Sequence, residues 1–217
     1  MVDHMELDRI LEPLKTEIEN DDHIRERVLP LAREAVRKCA ESVKCAHRRE
    51  YADASGLVYE AQDILTEASR ECSQSEFMLS SRLLDSAYQE IAEAANVVSL
   101  LSEGTFTPPQ QHGIPIRPFL TGLADAIGEL RRAVLDSLRA DEVERAEQLL
   151  GFMEETLEGL LSFDFPNALV PDLRRKCDVA RSLVERTRGD LTAGVQQSKL
   201  IGELRDFEER ARDERKR

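Results

Sequence analysis

Between Ile24 and Val43 apolar side chains recur every three or four positions, as Ile24, Val28, Leu31, Ala35, Cys39 and Val43. That period places them on one face of an α-helix. The pattern returns in Leu57, Val58, Ala61, Ile64, Leu65 and Ala68, and again in Tyr88, Ile91, Ala95, Val98 and Leu101. Further on it is carried by Phe119, Leu123, Ile127, Leu130, Val134 and Leu138, by Val143, Ala146, Leu150, Met153, Leu157 and Leu160, and by Leu173, Cys177, Ala180, Leu183, Val184 and Leu191. The spacing predicts an all-α fold of about seven helices. A chain of 217 residues fits one domain, long enough to bury roughly 70% of its unfolded surface.

The breakers set the expected boundaries. Leu7, Ile10, Leu11, Leu14 and Ile18 predict a first helix from Met5 to Asn20, bent at Pro13. Asp21 or Asp22 then caps a second, which runs towards Arg48 with a kink at Pro30. A third covers Ser55 to Cys72, and a fourth runs from Ser75 to Ser102 with Phe77 and Leu84 heading its stripe. Gly104, Pro108, Pro109, Gly113 and Pro115 interrupt the chain from Glu103 to Arg117, predicting a long, mobile connection with His112 as a candidate proton carrier. The fifth helix starts at Pro118, the sixth covers Asp141 to Leu161 and the seventh starts near Pro171. Beyond Gly194, Leu200, Leu204 and Phe207 predict a short amphipathic helix, and the charged run from Glu208 to Arg217 is expected to fray. The whole chain, 1–217, reads as a single domain with an extra N-terminal helix over 1–20 and a charged tail over 199–217.

Two helices carry acids in pairs. Glu90 and Glu93 stand at i, i+3, while Asp125 and Glu129 stand at i, i+4, so each pair shares a helix face. Counted from the connection, both pairs lie about ten residues away, or roughly 15 Å. In an antiparallel hairpin they would stand at one height. Four clustered carboxylates need a cation, and an all-oxygen set without imidazole or thiolate suits Mg²⁺, or Mn²⁺. Glu144/Glu147 and Glu155/Glu158 repeat the i, i+3 spacing in this acidic chain, and read as ordinary solvated surface. Gly122 and Gly128 flank Asp125 and would admit another backbone or a ligand at close range.

Charge limits the partners. A net charge of −13 excludes a surface that coats nucleic acid generally, so any phosphate contact has to be local or internal. Candidates are Arg48 and Arg49 at the end of the second helix, Arg132 one turn beyond Glu129, and Arg174 and Arg175 in the first turn of the seventh. Lys176 completes that last basic run, where cations oppose the helix dipole. Cys39, Cys45, Cys72 and Cys177 lack zinc-site spacing and read as reduced core thiols. No apolar run approaches a membrane span and no signal peptide is visible, so a cytoplasmic protein is expected.

Gln89-Glu90-Ile91-Ala92-Glu93-Ala94, followed by Phe119-Leu120-Thr121-Gly122-Leu123-Ala124-Asp125-Ala126-Ile127-Gly128-Glu129-Leu130, resembles the catalytic segments of the translin family, on its Trax-like side. The resemblance begins near Ile24-Arg25-Glu26 and spans about residues 22 to 195. It implies a translin-like helical bundle that assembles into a hollow homo-oligomeric shell, an octamer or hexamer. It also implies that RNA, single-stranded or a short duplex, or single-stranded DNA, binds inside. In the catalytic branch it implies Mg²⁺-dependent endoribonuclease activity, with the metal held by Glu90, Glu93, Asp125 and Glu129. The alternative is a non-catalytic binding shell whose acids are structural. Di-iron carboxylate chemistry is disfavoured because no His lies three residues after a Glu. A helical nucleotide pyrophosphohydrolase stands as a further metal-dependent alternative.

Overall fold

The computed structural model describes residues 4–214. Among them seven α-helices and one 3-10 helix account for all regular structure: α1 (His4–His47), α2 (Tyr51–Cys72), α3 (Glu76–Ser80), α4 (Asp85–Ser102), the 3-10 turn (Pro109–His112), α5 (Ile116–Arg139), α6 (Val143–Leu161) and α7 (Leu173–Glu214). The all-α expectation holds, and the helical stripes become the core.

The chain divides into two compact units. The first comprises residues 1–102 and 106–122, and so holds α1 to α4, the 3-10 turn and the start of α5. Ile24, Val28, Ala35 and Cys39 of α1, Ala54, Ala61 and Leu65 of α2, and Ile91, Ala94 and Val97 of α4 are among its most buried side chains. Ser42 donates a 2.8 Å hydrogen bond to the Ala54 carbonyl and so joins α1 to α2 in its interior. The second unit comprises 103–105 and 123–217. Ile127, Leu130 and Val134 of α5, Ala146, Leu149 and Met153 of α6, and Ala180 and Val184 of α7 are buried there. Among the described residues no helix is long and apolar enough to cross a membrane.

Several boundaries differ from the sequence expectation. The two N-terminal helices are one, because α1 runs unbroken for 44 residues through Pro13, Asp21, Asp22 and Pro30. Both prolines lie on exposed positions, where solvent can satisfy the backbone carbonyl that the ring leaves without its helical donor. Asp21 does not cap a helix; its carboxylate accepts the Ser75 hydroxyl, and that hydroxyl oxygen in turn accepts from the backbone N–H of Met78 as the N-cap of α3. The expected fourth helix is split. Residues 81–84 turn, with Arg82 at φ 60°, before α4 begins at Asp85. Phe77 consequently heads no stripe and is 65% exposed, while Met78 fills the core at 4%. At the other end α7 continues past Gly194 to Glu214 as one helix of 42 residues, in place of the expected break and frayed tail; residues 215–217 lie outside the described part.

The α4–α5 connection is pinned, not mobile. Buried Asn96 donates to the Ala92 carbonyl at 2.8 Å and accepts the Thr107 N–H at 3.1 Å. His112 is buried, its Nδ1 lies 2.7 Å from Gln62 Oε1, and its ring packs against Tyr59 with centroids 5.3 Å apart. Burial alone pushes the His112 pKa below the usual 6.5. Those contacts give His112 a place in the packing of the first unit, in place of the proton-carrier role the sequence suggested.

Candidate functional site

Helical spacing puts Glu90 and Glu93 on one face of α4, in the first unit, and Asp125 and Glu129 on one face of α5, in the second. All four are half-buried. The other i, i+3 glutamate pairs, Glu144/Glu147 and Glu155/Glu158, are fully on the surface. Spacing alone does not separate these three glutamate pairs, but exposure does.

On α4 the negative charge is felt inside the core. The Cys39 thiol of α1, 1% exposed, has its pKa pushed up to about 12, first by burial and then by the charges of Glu90 and Glu93. A group whose ionised form is disfavoured so strongly is an inert core thiol. The other three cysteines are buried and free as well, as expected.

On α5 the acids are met by cations. Lys176 of α7 places Nζ 2.6 Å from both carboxylate oxygens of Asp125, with side chains 15% and 30% exposed respectively. Glu129 lies 3.8 Å from Arg132 Nη1. The sequence grouped Lys176 with its two arginine neighbours and missed its particular role. Its position one turn into α7 was visible; the half-buried acid facing it was not.

The close approach expected at the flanking glycines occurs at one of them. A Cβ on Gly122 would stand 2.2 Å from the Gln89 carbonyl oxygen and 2.7 Å from Ala92 Cβ, so the start of α5 crosses α4 backbone to backbone one residue before Glu90. Gly128 faces open space.

The candidate arginines are all exposed. Arg48 donates twice to Glu50, at 2.6 and 2.9 Å, a helix-terminus contact. Arg49 follows at φ 64° in the left-handed region. Arg174 pairs with Asp164 at 3.0 Å and Arg175 with Asp172 at 3.6 Å. These two border an open cavity of about 1070 Å³ in the second unit, together with Phe163, Phe165, Leu173 and Arg181. Aromatic faces beside guanidinium groups are the ingredients of base stacking and phosphate contact.

Among the described residues no group of three or more His, Cys, Asp or Glu is assembled to hold a metal ion. The donor chemistry nonetheless fits a hard cation: the acids offer only oxygens, and one of them already holds an ammonium ion as its resident cation.

Half-buried acids set in pairs on two helices mark the chain as an all-α protein with carboxylate-bearing helix faces. Comparison with known proteins narrows that class. The profile of the translin family matches residues 14–188, and the chain belongs to the translin family. An uncharacterized protein of Methanocaldococcus jannaschii is 32% identical over 191 residues, 86% of this chain and 83% of that one. The structure of AfC3PO in complex with duplex RNA is 33% identical, with a TM-score of 0.76, covering 86% of this chain and 97% of that one. AfC3PO alone gives the same identity and coverage, with a TM-score of 0.77. Apo-NeC3PO, at 20% identity and a TM-score of 0.70 over 89% of this chain and 98% of that one, shares the fold.

Proposed function

We propose that the chain binds RNA, single-stranded or as a short duplex, inside a closed homo-oligomeric shell of hexamer or octamer size. In this reading it stands on the Trax-like side of the family, works in the cytoplasm, and cleaves RNA as an Mg²⁺-dependent endoribonuclease. Mn²⁺ is an alternative metal, and single-stranded DNA is a second ligand with the same phosphates. The RNA reading is supported by the likeness to a relative solved with duplex RNA. The observation that carries the catalytic reading is the half-burial of Glu90, Glu93, Asp125 and Glu129, in a chain whose other Glu-x-x-Glu pairs are exposed.

Glu90, Glu93, Asp125 and Glu129 would hold the metal. Bound there, it would supply Lewis-acid stabilisation of the charge that builds on a phosphodiester under attack. The chain's own residues do the rest. Lys176 keeps Asp125 charge-balanced, and would give up at least one of its two bonds when another cation arrives. Its ammonium is then a donor suited to phosphate. Arg174 and Arg175, exposed beside two phenylalanines, would bind the strand.

Labelled single-stranded RNA incubated with the protein and Mg²⁺, then with EDTA, tests the activity. Cleavage is expected with Mg²⁺ only. Glu129→Gln should lower it by about a hundredfold or more, with assembly unchanged by light scattering, while Glu144→Gln and Glu155→Gln should cleave as wild type does. Wild-type cleavage by Glu129→Gln would sink the catalytic reading. Replacing Arg174 and Arg175 by Ala should weaken RNA binding and flatten its salt dependence, by roughly 0.7 in log–log slope for each single-strand phosphate that the variant no longer neutralises. An unchanged slope removes these residues from the interface.

The second reading, a non-catalytic binding shell, draws on the ion pair between Lys176 and Asp125, which satisfies that acid without metal. RNA retained equally in Mg²⁺ and EDTA, with no cleavage in either, would favour it.

A further inference from the structure

Three cations follow one another at the start of α7, and they serve two places. Arg174 and Arg175 border the open cavity with Phe163 and Phe165, while Lys176 turns to Asp125 of α5. Its Nζ lies 2.6 Å from both oxygens of that carboxylate, so the ammonium sits on the bisector between them. A hard cation that takes a carboxylate by both oxygens sits on the same line. Ammonium and metal therefore contend for one place.

A displaced Lys176 needs another anion. Its side chain is 15% exposed, where a charge without a counter-charge is costly. One turn back stands Asp172, whose carbonyl accepts the Lys176 N–H at 3.0 Å, but the Asp172 carboxylate already lies 3.6 Å from Arg175. One turn on, Val179 and Ala180 carry no charge. The anion best suited to receive the ammonium comes from outside, as a phosphate of a strand lying on the two adjacent arginines.

We propose that Lys176 is exchanged between Asp125 and a phosphate of bound RNA, so that RNA and divalent metal each favour the binding of the other. The proposal rests on the reading of Asp125 as a metal ligand and of Arg174 and Arg175 as strand contacts. Without RNA the ammonium occupies Asp125 and holds the metal affinity down. A strand on the arginines brings phosphate beside Lys176, which turns to it and leaves the Asp125 oxygens to the metal. Linkage makes the effect reciprocal: metal tightens RNA by the factor by which RNA tightens metal. Lys176 is then a positioning residue for the metal and a binding residue for the strand.

Lys176→Met keeps the apolar stem and removes the charge. Lys176→Gln, which keeps a donor for Asp125, is the second variant should the first not fold by circular dichroism. Mn²⁺ binding to the full-length chains is read from the loss of the free-ion electron paramagnetic resonance signal. Without RNA, the variant should bind Mn²⁺ about five- to a hundredfold more tightly than wild type, the usual range for coupled sites. A short phosphorothioate-linked oligoribonucleotide, which resists hydrolysis, is then added and its own Mn²⁺ binding subtracted. It should tighten Mn²⁺ in wild type by a larger factor than in the variant, where only direct attraction between metal and phosphate is left. A purely structural lysine would shift both affinities and leave that factor unchanged. Mn²⁺ binding by the variant that equals or falls below wild type, or an equal RNA factor in both chains, overturns the exchange and leaves the metal site standing. No Mn²⁺ binding by wild type removes the four-acid site, and the exchange with it.

Discussion

The acids of α4 and those of α5 share charge and half-burial, at spacings of i, i+3 and i, i+4, and each pair meets different groups within its own unit. Asp125 is gripped by Lys176 at 2.6 Å and Glu129 has Arg132 at 3.8 Å, so the chain itself brings cations to the α5 pair. The charge of Glu90 and Glu93 shows instead in the core behind them, where it helps push the Cys39 thiol up to about 12. The α5 pair meets cations on its own and a neighbouring helix, and the α4 pair is felt at a core thiol. The difference teaches that like-looking acid pairs need not respond alike to mutation.

The largest stability effect is expected where α5 crosses α4 within the first unit. Gly122→Ala puts a Cβ 2.2 Å from the Gln89 carbonyl, a backbone atom that cannot swing aside. Thermal unfolding should show a loss at the upper end of overpacking costs, about 3 kcal/mol. Gly128→Ala, in open space, should instead stabilise by up to about 1 kcal/mol through helix propensity. Equal effects at the two glycines would mean that the two helices do not cross so closely.

Amide replacements should split next, and this is the direct test of the contrast. In EDTA, Asp125→Asn leaves the Lys176 ammonium mostly buried without its counter-charge. It should cost about 1–2 kcal/mol, between the values for exposed and fully buried pairs. Glu90→Gln and Glu93→Gln relieve like-charge repulsion instead, and should melt at or up to a few degrees above wild type. If the proposed site holds, Mg²⁺ should then stabilise wild type more than any of these variants, because the wild type alone keeps all four carboxylate charges. A common shift for all the amides would erase the distinction between the two helices.

The smallest effect is a pH correction to those melts. His112 has a folded pKa below 6.5, so near and below that pH the unfolded chain binds the proton more readily. Stability from neutral His112 is therefore present above about 6.5 and is lost as pH falls towards the folded value. His112→Gln should flatten the melting temperature between about pH 5 and 7, and a slope that survives the replacement belongs to another group.

Much of the fold is legible because periodicity reports which face of a helix is buried. Spacing alone picks out Ile24 to Val43, Ile91 to Leu101 and Ile127 to Val134, and most of their stripe residues are in the core. Breaks are legible only in part, since a proline on an exposed face costs a hydrogen bond but meets no neighbour, and Pro13 and Pro30 sit inside α1. The turn at residues 81–84 has no strong breaker to announce it, which is why periodicity assigns Phe77 to the core. At the site, spacing locates the acids and does not separate Glu90/Glu93 from Glu144/Glu147. Nor does it find Lys176, whose partner is 51 residues away in sequence.

The pinned connection after α4 has a calorimetric consequence. Asn96, Thr107, His112 and Gln62 order that segment while the chain folds, so its entropy is lost before any ligand arrives. A ligand that touches this part of the first unit meets a surface already set. Its heat-capacity change on binding should then follow the contact area alone, without the larger negative increment that accompanies a loop folding onto its ligand.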